Sequence, residues 1–149
     1  MKPANVCWGM EHAYAAEHVR LIDLEFIGQR GDASTGFRGT PLYAGTRYLR
    51  THCCSRGDDL DALGQMLAQW AGYQLPWEAM QIEPGNMDSY ERYAAAKDID
   101  KWASLKGAPA NSFGGRLREF IAAARDLPPD ATGSAPEINY KSFEAILAG

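Results

Sequence analysis

Apolar residues recur at helical spacing over 58–73, where Leu60, Leu63, Met66, Leu67 and Trp70 fall three or four positions apart. Ala62, Gly64, Ala68 and Ala71 fill much of the remaining circumference. A segment that is apolar on more than one face predicts a central, buried helix. Asp58 or Asp59 is placed to cap it, because a short carboxylate accepts hydrogen bonds from free first-turn amides. Gly72 and Pro76 mark its end. A second, weaker helix is expected over 89–97. A third is expected over 112–127, with Phe113, Leu117, Phe120, Ile121 and Ala124 on one stripe and Pro128-Pro129 as its stop. A short last helix runs over 140–147, where Phe143, Ile146 and Leu147 are apolar. Before these helices, His18-Val19-Arg20-Leu21-Ile22 alternates and is rich in branched residues, so it reads as a strand. Val6-Cys7-Trp8 is its candidate hairpin partner. Gly28, Gly31, Gly36 and Gly39, with Asp32, Ser34 and Thr35, predict a long mobile loop over 28–40. The order is hairpin, loop, then helices, which predicts a mainly α lobe carrying a small β-ribbon.

Composition narrows the classes without choosing among them. The 149 residues suit one domain, and 46% hydrophobic with 23% charged residues is globular rather than disordered composition. A net charge of −4 with no basic patch argues against a nucleic-acid partner. No apolar run is long enough for a membrane span, and Trp8-Gly9-Met10-Glu11-His12 interrupts any signal-peptide core after Lys2. Cys7, Cys53 and Cys54 form a poor disulfide framework, being odd in number with two adjacent. Reduced thiols and an intracellular location, cytoplasmic or nuclear, are expected. His52-Cys53-Cys54 is a weak metal candidate, since consecutive residues rarely surround one ion tetrahedrally and no second ligand pair stands at finger-like spacing.

Four separated segments then line up in one order. The opening Met1-Lys2-Pro3-Ala4-Asn5 is similar to the end of the protein-kinase catalytic loop H-R-D-x-K-x-x-N. Leu21-Ile22-Asp23-Leu24-Glu25 stands in the place of the strand and D-F-G. Gly39-Thr40-Pro41-Leu42-Tyr43-Ala44 looks like the G-T-x-x-Y-A that closes the activation segment. Ser55-Arg56-Gly57-Asp58-Asp59-Leu60-Asp61-Ala62-Leu63-Gly64, with Leu75-Pro76-Trp77 later, is similar to S-R-R-D-D-L-x-S-L-G and L-P-W. Tyr90-Glu91-Arg92, Leu105-Lys106-Gly107, Phe113 and Pro136 followed by Tyr140 keep the same order. Together these resemble the C-terminal lobe of a serine/threonine protein kinase, nearest the casein kinase 1 group and its vaccinia-related relatives.

The resemblance divides the chain into 1–25 (end of the catalytic loop, hairpin and metal-binding loop), 26–50 (activation segment) and 51–149 (helical sub-domain). It implies ATP and magnesium as cofactors and a protein as substrate. Asn5 and Asp23 would hold the metal, and Lys2 would face the charge on the transferred phosphate. Thr40 would bridge the catalytic loop to the substrate-binding loop. Asp59 would anchor catalytic-loop amides from below. Taken singly, Asn5 reads as a turn residue, Asp23 as a strand-end cap and Lys2 as a solvated charge; their joint spacing carries the functional reading.

The resemblance also implies gaps. The Gly-rich loop, the lysine that pairs the α- and β-phosphates and its glutamate partner are absent, and the catalytic aspartate would fall just before Met1. Glu25 replaces the glycine of D-F-G, which removes backbone freedom and adds an anion near the phosphates. Leu24 replaces its phenylalanine, Arg47 stands where many kinases carry the glutamate of A-P-E, and Gly57 replaces an arginine able to pair anions. The chain alone is therefore expected to be inactive: a truncated kinase domain or, alternatively, a degenerate non-catalytic lobe that binds proteins. Either way a missing N-terminal lobe or a covering partner is implied, and the isolated chain is expected to be poorly soluble or partly molten.

Overall fold

The computed structural model describes residues 2–8, 19–23, 36–130 and 137–149. Among the described residues two short strands, β1 (Val6–Trp8) and β2 (Val19–Leu21), are followed by six helices: α1 (Thr46–Thr51), α2 (Arg56–Trp70), α3 (Met87–Ala96), α4 (Ala103–Lys106), α5 (Phe113–Asp126) and α6 (Tyr140–Ala148). The mainly helical expectation holds, as does the hairpin. The strands pair antiparallel with Val6 opposite Leu21, Cys7 opposite Arg20 and Trp8 opposite Val19. Much of the expected 28–40 loop, together with Leu24, Glu25, Ser34, Thr35 and Pro136, lies outside the described residues.

The start of α2 differs from expectation. Its cap is Ser55, whose hydroxyl accepts from the Asp58 amide while the Asp58 carboxylate accepts from the Ser55 amide at 3.1 Å. This reciprocal box satisfies first-turn donors at both ends. Asp58 is thus the third helical residue and not the cap, and Asp59 is exposed.

The buried face of α2 also differs. Met66 is fully buried, but Leu60, Leu63 and Leu67 are only partly so and Trp70 is 52% exposed. The face turned inward carries Gly57, Asp58, Asp61, Ala62, Gly64, Gln65 and Ala68. Small residues win this face because α5 lies so close. A Cβ on Gly64 would stand 2.5 Å from Ile121 Cγ1, and one on Gly57 would stand 2.8 Å from the Ala124 carbonyl. The two glycines, seven apart on one helix face, make the approach possible.

Helix α5 follows its predicted stripe. Ser112 caps it through the Gly115 amide, and Leu117, Phe120, Ile121 and Ala124 are buried, whereas Phe113 is 39% exposed. Phe120 meets Phe143 edge-on at 5.3 Å, which seats α6. Trp77 and Trp102, both fully buried, pack edge-to-face at 4.9 Å. Their indole N–H groups are satisfied by the Leu42 and Gln74 carbonyls at 2.8 and 2.6 Å. Helix α3 begins two residues earlier than expected because Asn86 accepts from the Asp88 and Ser89 amides. Helices α1 and α4 were not anticipated, being only six and four residues long. Arg56 makes a forked pair with Asp130, at 3.0 and 2.8 Å, and so ties the start of α2 to the chain beyond α5.

Candidate functional site

The ribbon brings Lys2, Asn5 and Asp23 to one end. Pro3–Asn5 forms a tight 3-10 turn, with Pro3 fixing the backbone at its start and the Asn5 amide donating to the Lys2 carbonyl at 2.9 Å. The turn feeds β1 directly. Beyond the last strand pair, the Ile22 amide donates to the Asn5 carbonyl at 2.9 Å. That bond aligns the next residue, Asp23, with the residue before the turn, Lys2. The Lys2 Nζ lies 3.8 Å from Asp23 Oδ2, with the two side chains 39% and 48% exposed. An ion pair so exposed contributes about 0–1 kcal/mol to stability.

Asp23 has φ of 59°, in the left-handed region. Few non-glycine residues adopt it, although aspartate is among those that tolerate it best. Such positions cluster where a side chain must be aimed.

Magnesium takes hard oxygen donors and keeps several waters or phosphate oxygens in its shell. The Asp23 carboxylate and the Asn5 amide oxygen are donors of that type. Two protein oxygens suit an ion that arrives with phosphates, not one caged by protein. Among the described residues no group of three His, Cys, Asp or Glu side chains is placed to hold a metal by itself.

The other predicted residues are not drawn to this cluster. Thr40 precedes the 3-10 turn Pro41–Tyr43; its hydroxyl makes no capping bond, and its carbonyl accepts from the Tyr43 amide at 3.3 Å. The Asp59 carboxyl is pushed up, chiefly by burial of its atoms although the residue as a whole is exposed, with Asp58 and Asp130 adding repulsion. Its neighbours Asp58 and Asp61 receive amides of α1. Asp58 accepts from the Tyr48 amide at 2.9 Å, and Asp61 accepts from the Thr46 amide at 3.1 Å. Burial pushes the Asp58 carboxyl up, against the opposing pull of Ser55, the Tyr48 amide and Arg47.

Sequence reasoning missed a buried polar network beneath the Pro41–Tyr43 turn. The fully buried Lys97 donates to the carbonyls of Pro41, Leu42 and Ala44 at 3.0, 2.9 and 2.7 Å and to Gln65 Oε1 at 2.9 Å. Gln65 in turn donates to Asp61 at 2.9 Å, and Arg125 donates to Asp61 at 3.1 Å and to the Lys97 carbonyl at 2.9 Å. The Lys97 Nζ also lies 5.2 Å from the Trp77 ring centroid and 5.4 Å from that of Tyr93. Burial pushes the Lys97 pKa well below that of an ordinary lysine, with Asp61 opposing and Arg125 reinforcing the shift. The same burial raises the Tyr93 hydroxyl to about 12. Arg47, flagged only as a departure from A-P-E, donates to the Arg125 and Leu127 carbonyls at 3.0 and 2.6 Å and so closes the carboxy-terminal end of α5. One available signal was that Asp61, Gln65 and Arg125 recur on otherwise small or apolar helix faces.

Cys7, Cys53 and Cys54 are free thiols. Cys54 is exposed as a residue, yet burial of its sulfur, with the Asp59 and Asp58 charges nearby, raises the thiol to about 11. No helix among the described residues is long and apolar enough to cross a membrane.

No protein-family model matches the chain. Casein kinase I homolog 2 of Saccharomyces cerevisiae is 29% identical over 143 residues, covering 89% of this chain and 26% of that protein. Casein kinase I homolog 1 of the same yeast is 28% identical over 144 residues, with the same coverage of 89% and 26%. The chain is thus related to yeast casein kinase I homologues, and it spans about a quarter of their length.

Proposed function

We propose that this chain is the C-terminal lobe of a casein kinase 1-type serine/threonine protein kinase, and that it does not transfer phosphate by itself. The observation that carries the reading is the meeting of Lys2 and Asp23 at 3.8 Å, with Asn5 bonded into the same ribbon end and Asp23 in a left-handed backbone. Bound ATP and magnesium would supply the transferable phosphoryl group and its neutralising charge. The chain's residues would position and neutralise: Asn5 and Asp23 would offer oxygens to the metal, and Lys2 would offer its charge to a phosphate oxygen. Thr40 and the turn after it meet the protein substrate. Asp59 anchors the catalytic loop. The adenine site and the remaining phosphate contacts would come from kinase sequence beyond this chain, in keeping with the quarter-length match. Such a protein works inside the cell.

One observation favours a second reading, a non-catalytic lobe that binds proteins. Leu60, Leu63 and Leu67 are only partly covered and Trp70 is 52% exposed along one helix. Glu25 in place of the D-F-G glycine agrees with it.

Titration calorimetry with magnesium and ATP separates the readings. The first predicts weak, magnesium-dependent binding that Asp23→Ala abolishes, with no phosphate transferred to casein. Absence of magnesium-dependent binding in the unaltered chain would favour the second.

A further inference from the structure

Lys97 caps the carboxy-terminal end of α3 and is fully buried. Lysines are almost never fully buried unless paired. No carboxylate among the described residues bonds this one. The three hydrogens of its ammonium are shared among four oxygens at 2.7–3.0 Å, three of them backbone carbonyls from one short stretch, Pro41, Leu42 and Ala44. A second donor, the Trp77 indole, reaches the Leu42 carbonyl at 2.8 Å. The Tyr43 hydroxyl donates to Gln69 Oε1 at 2.5 Å. Every residue from 41 to 44 is therefore tied inward.

Mere stability does not call for this arrangement. An apolar side chain of similar volume often serves a core as well as a buried charge or better. What a lysine adds is geometry: one Nζ fixes the relative positions of three carbonyls. Its own position is set in turn by Gln65, which Asp61 orients, and Asp61 is held by Arg125 and by the Thr46 amide. The turn thereby takes its shape from α2 and α5. A turn fixed in advance loses less freedom when a peptide docks on it, which strengthens binding.

We infer that Lys97 is a positioning residue that holds the 41–44 turn in the shape that docks the protein substrate. The inference rests on the kinase-lobe reading for the identity of what docks. The clamp itself rests on geometry alone.

Amide hydrogen exchange on the whole 149-residue chain tests the clamp. Lys97→Met keeps the length of the stem and removes its donors. It is expected to raise exchange at Tyr43 and Ala44 by roughly tenfold while the amides of α2 and α5 hold their protection. Unchanged exchange at Tyr43 and Ala44 would overturn the inference. Should Lys97→Met unfold, the unaltered chain with isotope-labelled lysine provides the readout. Nζ hydrogens coupled to the carbonyl carbons of Pro41, Leu42 and Ala44 are expected; an Nζ exchanging freely with water would overturn the inference. Casein binding by the chain is measured beside these. It is expected to weaken by roughly fivefold in Lys97→Met. A loosened turn with unchanged casein binding would overturn the positioning role. If the unaltered chain binds no casein, docking at this turn fails together with the kinase reading, while the exchange result still reports the clamp.

Discussion

Within the helical body, Leu117, Ile121 and Ala124 of α5 are fully buried, and even Asp61, Gln65 and Lys97 lie inside the core with their polar atoms bonded. In the ribbon, Val19, Leu21 and Ile22 are 55%, 47% and 47% exposed, and the Lys2–Asp23 pair sits in water. The contrast separates two jobs. Burial and satisfied hydrogen bonds hold the body. The residues proposed for chemistry are on the ribbon, where they add little to stability and face solvent that a nucleotide could displace. Substitutions should therefore split cleanly into those that unfold the chain and those that silence its site.

The largest expected effect is in the body. Leu117→Ala leaves a cavity in the core and should cost about 2–5 kcal/mol, read as a lower urea midpoint. A loss as small as that of an exposed leucine would mean that burial in α5 does not hold the body together. Gly64→Ala comes next. Alanine is the better helix former, yet its methyl would lie 2.5 Å from Ile121 Cγ1, so a net destabilisation of about 1–3 kcal/mol is expected from crowding. A stabilised Gly64→Ala chain would show that α2 and α5 do not pack so closely.

Lys97 gives the body a pH dependence. Its folded pKa is lowered by burial, whereas the unfolded chain's lysine keeps a value of about 10.4. Between the two values the unfolded state holds more protons, so stability rises with pH across that window. Urea midpoints taken as pH is raised toward about 10.4 should rise more for the unaltered chain than for Lys97→Met. Equal slopes would mean that Lys97 is not the source. The smallest effect on stability is expected in the ribbon, where Asp23→Asn, which keeps a side chain tolerated in the left-handed region, should change unfolding by less than about 1 kcal/mol. A larger loss, seen in the same denaturation experiment, would mean that the ribbon supports the fold.

The sequence was most legible where one local signal dominated. Ser112 and the stripe of Leu117, Phe120, Ile121 and Ala124 announce α5, and the alternation around Val19 and Leu21 announces β2. It was least legible where packing overrode polarity. Leucines in α2 reads as a core stripe, but helix approach at Gly57 and Gly64 turns the small face inward and leaves Trp70 half exposed. Asp61, Gln65 and Lys97 are polar residues whose burial follows from carbonyls and amides that reach them from distant segments, which no local window contains. At the site, the spacing of Lys2, Asn5 and Asp23 was readable as a resemblance. The left-handed backbone of Asp23 was not, because aspartate adopts it only at isolated positions and no local residue pattern marks which.

The most direct measurement follows manganese, an oxygen-seeking stand-in for magnesium, by paramagnetic broadening of backbone amides in the presence of ADP. Broadening is expected to centre on residues 2–8 and 19–23 and to disappear in Asp23→Ala. Broadening spread over carboxylates of the helical body, or unchanged in Asp23→Ala, would contradict the metal-site proposal.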